Sequence, residues 1–196
     1  LLLTLAQWGA TDVAAMAWLD PPPAAALAAA ARTLRGLGAL DEADQITPHG
    51  RNMAKLPMAP GLAHMLLFAA GQGAGAAGAK LALLLQERGL GGRGEDLGPR
   101  LDRWDGDRSA RADASRKLAA GWEKRARALV AGQSGEAPPL GALLAEAFPD
   151  NIAKRRDAAG EEGVALHGLL VHVGVEGVSG KMRKVFNVFE ADDALG

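Results

Sequence analysis

The residues of this chain whose types and spacing could do chemistry are few, and most fail a test of context. Asp41-Glu42-Ala43-Asp44 has the acidic pattern with which nucleotide-hydrolysing motors hold magnesium. Such a box works with an upstream phosphate loop, whose backbone amides and lysine cradle the nucleotide. No Gly-x-x-x-x-Gly-Lys-Ser/Thr occurs in the 196 residues, and the nearest approach, Gly180-Lys181-Met182, lacks both the first glycine and the hydroxyl. The acidic run is therefore expected to be an exposed hairpin turn. Gly73-Ala74-Gly75-Ala76-Ala77-Gly78 and Gly89-Leu90-Gly91-Gly92-Arg93-Gly94 match the dinucleotide fingerprint letter for letter. A chain with 26 glycines makes such matches by chance, however. Neither shows the strand–turn–helix setting that the fingerprint needs, so both are expected to be loops joining helices. Of His49, His64, His167 and His172, neither His49 nor His64 has a carboxylate or a second histidine beside it at a ligand spacing, and structural or surface roles are expected. Gly132-Gln133-Ser134-Gly135 lacks the frame of a nucleophile elbow. The absence of cysteine excludes disulfides and thiolate metal sites and fits a cytoplasmic chain. No catalytic residue, metal or cofactor is expected in these residues.

Cations are the more informative feature. Between Arg100 and Arg127 nine basic residues face five acidic ones, although the whole chain carries a net charge of only −1. Arg108, Arg111, Arg116 and Lys117 could lie along a phosphate backbone. Lys154-Arg155-Arg156 is a purer basic cluster, suited to nucleic acid or to a neighbouring domain. The competing explanation for the longer stretch is a solvated face knitted by i,i+4 pairs such as Asp107–Arg111 and Asp113–Lys117.

The elements that must position these residues are mostly helical. Hydrophobic residues make up 48% of the chain but aromatic ones only 4%, the composition of helices packed through small side chains. Residues 1–8 read as the end of an apolar helix stopped at Gly9; a start inside such a helix suggests a cut chain whose packing partner lies elsewhere. Asp20 is a natural N-cap and Pro21 a natural first residue for a helix with Leu27, Ala31 and Leu34 on one face. Leu40 to Ile46 reads as a small β-hairpin, and Thr47-Pro48 starts a short helix carrying Met53 and Leu56. A helix over Pro60–Ala70 presents Leu62, Met65, Leu66 and Ala69; after the Gly71–Gly78 loop, another carries Leu81, Leu84 and Leu85. One long charged helical stretch is expected over Asp96–Val130, anchored by Trp104 and Trp122, then a linker over Gly132–Pro139 and a helix over Leu140–Phe148. Valines from Val164 to Val188 suggest strands. No apolar run approaches the ~20 residues of a membrane span.

The stretch Trp18-Leu19-Asp20-Pro21-Pro22-Pro23 through Leu37-Gly38-Ala39-Leu40 resembles the winged helix that follows the second RecA-like domain of DEAH-box helicases. Ile46-Thr47-Pro48-His49-Gly50-Arg51 and Leu56-Pro57-Met58-Ala59-Pro60-Gly61-Leu62-Ala63-His64-Met65-Leu66 resemble the junction from that winged helix into the helicase-associated ratchet domain. The departure is Ile46, where leucine is usual. Leu84-Leu85-Gln86-Glu87-Arg88, Asp107-Arg108-Ser109 and Phe148-Pro149-Asp150-Asn151-Ile152-Ala153-Lys154-Arg155-Arg156 resemble the bacterial HrpB-type members. The likeness ends near Gly160: the family's small barrel has an Asn-Gly-Arg-Gly-like strand that Glu161–Gly196 lacks, so a divergent barrel and a tail of other origin both stay open.

The resemblance implies a mainly α fold. Residues 1–17 would end the second RecA-like domain and its linker. Residues 18–58 would form the winged helix, 59–147 the ratchet-like helical bundle, and 148–196 the start of a barrel or a divergent β-rich tail. It also implies that ATP and magnesium serve the full-length protein through motor domains absent here. Arg51 would either fix domain packing or touch nucleic acid, and single-stranded RNA or DNA would be the partner. Two rivals remain: a winged-helix DNA-binding regulator, disfavoured because Ala24–Leu37 has only Arg32 and Arg35, and a helical interaction scaffold without nucleic-acid contact.

Overall fold

The computed structural model describes residues 1–10, 13, 16–93, 96–132 and 137–149, and the backbone of Ala153–Lys154 and Lys184–Val185. The helices are α1 (Leu2–Gln7), α2 (Ala24–Gly36), α3 (Pro48–Met53), α4 (Pro60–Gly71), α5 (Gly75–Gln86), α6 (Leu97–Gly106), α7 (Ala110–Arg127) and α8 (Leu140–Ala147).

Helix α4 is the centre of the molecule. Leu62, Ala63, Met65, Leu66, Leu67, Ala69 and Ala70 are buried on all sides of it, the pattern of a helix surrounded by protein. Helices α5, α7, α8 and α3 pack around it. Small side chains let α5 come close: a Cβ at Gly78 would lie 2.6 Å from the Cβ of Ala69. At the N-terminal end of α4, a Cβ at Gly61 would land on the carbonyl oxygen of Ala147 in α8.

Several expected boundaries move, each for a local reason. Helix α2 begins at Ala24, with Pro23 in an extended conformation as its N-cap, instead of at Asp20-Pro21. Asp20, Pro21 and Pro22 each precede a proline, whose ring disfavours α-helical torsions in the residue before it. The Gly71–Gly78 run is not a single loop: α4 extends through Gly71, Gly73 turns with φ 76°, and α5 already begins at Gly75. The expected hairpin is a single antiparallel bridge between Leu40 and Ile46. Asp41 closes it by accepting hydrogen bonds from the amides of Ala43 and Gln45 at 2.9 and 2.8 Å. The acidic run is thus an exposed turn tied to its own backbone.

The single charged stretch is two helices. Asp107 leaves the helical torsions (φ −73°, ψ 123°), and its carboxylate accepts from the Ser109 amide at 2.8 Å. Ser109 then caps α7, accepting from the Ala112 amide at 3.2 Å. That contact from Ser109, aided by Arg116, holds the Asp107 carboxyl below its ordinary pKa. Helix α1, expected to be exposed, buries Leu3 and Leu5 and leaves Leu1 and Trp8 outside. In the C-terminal region, Ala153–Lys154 pairs antiparallel with Lys184–Val185, joining Ala153 to Val185 and Lys154 to Lys184. The other valine-rich segments lie outside the described residues.

Candidate nucleic-acid interface

Helix α7 has two faces with different duties. Ala112, Ala119, Trp122 and Ala126 are buried against α4 and α5. The outward face carries Lys117, Leu118, Gly121, Lys124 and Arg125, all exposed. The two lysines stand seven residues apart, two helical turns and about 10 Å along one side.

The cations of this region divide by what holds them. The Arg116 guanidinium donates to the carbonyl oxygens of Trp104 at 2.6 Å and Asp107 at 2.7 Å and pairs with Asp113, fastening α7 to the end of α6. Arg111 reaches back to the carbonyl of Arg88 at 3.1 Å. Arg103 donates to the carbonyls of Gly91 at 2.8 Å and Arg93 at 3.3 Å. Arg127 pairs with Glu123 at 2.6 Å, and Lys80 with Asp105 at 2.7 Å. The expected pairs Asp107–Arg111 and Asp113–Lys117 do not form: Asp107 is taken by Ser109, and Asp113 by the longer-reaching Arg116.

What remains free is a smaller set. Among the described residues, Arg108, Lys117, Lys124 and Arg125 make no ion pair, and they are exposed. A shallow cleft of about 400 Å³ lies at the C-terminal end of α7, lined by Ala120, Glu123, Lys124, Arg127 and Ala128. Its rim is of mixed charge, with Arg127 paired to Glu123 and Lys124 left as the unpaired cation. The structure thus places Lys117 on α7 with the additional cations Lys124 and Arg125, leaves Arg108 in the turn just before that helix, and engages Arg116 and Arg111 in backbone contacts. Backbone position places Lys154 on the short strand; Arg155 and Arg156 lie outside the described residues.

Arg51 is exposed on α3, which is tied to the segment just past α7 by the Asn52 side-chain amide donating to the Leu129 carbonyl at 3.0 Å. On α2, Arg35 pairs with Asp44. Only Arg32 is then an unpaired cation on that helix, too little for a basic recognition helix. Among the described residues of the glycine runs, Gly75 and Gly78 lie inside α5, and Gly91 approaches the backbone of Arg100. Sequence reasoning missed one cluster altogether, in which His49, His64 and Glu146 form a chain of hydrogen bonds. These residues lie 15 and 82 positions apart, so no local spacing could announce them.

Residues 30–58 match the family model of the helicase-associated domain (HA2), winged-helix. The chain is 38% identical over 165 residues to the ATP-dependent RNA helicase HrpB of Escherichia coli (strain K12), covering 82% of this chain and 18% of that relative. It is 41% identical over 66 residues to the pre-mRNA-splicing factor ATP-dependent RNA helicase prp22 of Schizosaccharomyces pombe, covering 34% of this chain and 6% of the relative. Among solved structures it resembles the crystal structure of the Escherichia coli DExH-box NTPase HrpB, with a TM-score of 0.61 and 34% identity over 80% of this chain and 18% of that one. A second crystal structure, of the Escherichia coli DEAH/RHA helicase HrpB, gives a TM-score of 0.62 and 37% identity over 79% of this chain and 18% of that one. The chain therefore spans under a fifth of the length of the HrpB relatives.

Proposed function

We propose that this chain, an accessory region of the HrpB-type DEAH-box helicases, guides a single nucleic-acid strand past motor domains that lie outside these residues. In this reading residues 18–58 are the winged helix and a rigid hinge block, and residues 59–147 are the ratchet-like bundle along which the strand runs. ATP and magnesium would act at the motor, since the glycine-rich segments here are built into helices and their connections. The relatives' names speak for RNA; the surface chemistry would accept DNA as well.

The observation that carries the proposal is the outward face of α7, where Lys117, Lys124 and Arg125 stand exposed without acidic partners. Cations held free along one side of a helix form the electrostatic footprint of phosphate contact. Arg108, just before α7, extends that footprint. Arg111 and Arg116 would support it by holding α7 in place, and Lys154, Arg155 and Arg156 would extend it toward the C-terminal region. Arg51 would pack against the motor.

Binding of a fluorescent single-stranded oligonucleotide, followed as salt is raised, tests this. Binding should be weak, indifferent to sequence and steeply salt-dependent. Replacing Lys117, Lys124 and Arg125 by glutamate should lower the slope of log K against log[salt] by about 2, the counterions released by three phosphate contacts on a single strand. Unchanged binding in that variant would remove the α7 face from the strand's path, and no binding of the unaltered chain even at low salt would favour an interaction scaffold that works by packing alone.

A further inference from the structure

His49 Nε2 lies 2.8 Å from His64 Nδ1, and His64 Nε2 lies 3.0 Å from Glu146 Oε2. The rings meet edge to face, with centroids 5.0 Å apart and planes at 90°. His49 belongs to α3 in the winged helix, His64 to the central α4, and Glu146 to α8. The chain therefore clasps the winged helix to the bundle across three elements distant in sequence. It is a line and not a ring of ligands: both nitrogens of His64 are engaged, and no group of residues suited to hold a metal occurs among the described residues.

The hydrogen bonds set the proton count. An ionised Glu146 only accepts, so His64 carries a proton on Nε2. Neutral His64 accepts at Nδ1 from the Nε2–H of His49. If His64 takes up a proton, its Nδ1–H donates instead, and His49 shifts to the tautomer whose Nε2 accepts. One added proton thus reverses the bond without breaking it. A second places N–H groups on both facing nitrogens, with no acceptor between two cations.

We propose that the His49–His64–Glu146 chain is a proton-sensitive latch between the winged helix and the helical bundle, closed near neutral pH and opened when both histidines are charged. The surroundings leave those three groups in control. Helix α4 has no other titratable residue, and α8 has only Glu146. Helix α3 adds the exposed Arg51. The turn after α2 passes His49 at Gly38, and α2 itself adds Arg32 and the Asp44-paired Arg35. Helix α5 adds Lys80, tied to Asp105. Helix α7 adds Arg111, tied to the Arg88 carbonyl, the pairs Arg116–Asp113 and Arg127–Glu123, and the solvent-facing Lys117, Lys124 and Arg125. Burial first, and then His64, hold the His49 pKa below its ordinary 6.5, so the second proton is resisted. Because the folded value is the lower one, this stability is present above pH 6.5 and is lost as pH falls from there through the folded value.

The test is the thermal midpoint of the whole chain at pH 7.5 and 5.0, with imidazole nitrogen NMR and amide exchange across the same range. His49→Gln keeps a group that can donate to neutral His64 or accept from charged His64; it should shrink the acid-induced drop by about 2–4 °C for a chain of this size. Glu146→Gln replaces the carboxylate that accepts from His64 Nε2 by an amide, and should change the drop. Equal drops in all three chains would overturn the latch. Wild-type NMR decides the matter even if a variant fails to fold. Faster exchange of the α3 amides as the second histidine is charged supports the latch; unchanged α3 protection with both charged overturns it.

Discussion

Gly61 and Arg116 show how much a single residue can conceal until its surroundings are known. Gly61 reads in sequence as one more glycine beside a helix start, yet a Cβ there would strike the backbone of Ala147. A carbonyl oxygen cannot swing aside as a side-chain end can. Gly61→Ala should therefore part α4 from α8 and destabilise the fold by about 1–3 kcal/mol, the usual cost of overpacking. Denaturant unfolding measures it, and a midpoint unchanged from wild type would show that the helices shift freely. Arg116 is the converse case. Its type and its place in a basic stretch suit phosphate contact as well as structure, and its three contacts to Trp104, Asp107 and Asp113 show a fastener. The free cations Lys124 and Arg125 have no such partners, a property no sequence displays.

Among the elements, the caps decide where helices begin. Thr47 and Ser109 each accept a backbone amide three residues on, from Gly50 at 2.9 Å and from Ala112 at 3.2 Å. Replacing either by alanine should cost about 1 kcal/mol, within the ~0.5–2 kcal/mol range of lost caps. Thr47→Ala should cost the more, because its hydroxyl also donates to the Gly38 carbonyl at 2.7 Å and so ties α3 to the end of α2. Paired unfolding curves check the order, and equal losses would remove the Gly38 contact from the explanation. Thr47-Pro48 was legible as a helix start because the cap and the proline are adjacent. The break between α6 and α7 was not: Asp107 and Ser109 are tolerated on the surface of a charged helix, and the turn they make instead depends on Arg116 seizing the carbonyls that end α6.

Across the whole molecule, stability rests on the apolar layer around α4, into which α6 and α7 insert their tryptophans. Trp104 is fully buried and its backbone carbonyl receives Arg116, so one residue joins the core to the surface web. Trp104→Ala should destabilise by about 3–5 kcal/mol, the range for emptying a large aromatic site. It should also loosen α7, reducing oligonucleotide binding together with the melting temperature. Intact binding in a chain so weakened would separate the α7 surface from the core beneath it. Among the described residues no helix is long and apolar enough to cross a membrane.

By itself the sequence determined the helical class, the apolar faces and the punctuation between them. Leucine and alanine at helical spacing can be buried in few other ways, and prolines and glycines act on the torsions next to them. Its ordered junction motifs, from Ile46 to Arg51 and from Leu56 to Leu66, were also sufficient to point to the helicase-associated winged helix. Only the tertiary structure decided which cations are free, which glycines are obligatory, and that His49, His64 and Glu146 meet. Those are properties of distance and exposure between residues far apart in the chain, and hydrogen bonds and charge pairs act over a few ångströms of space whatever their separation in sequence.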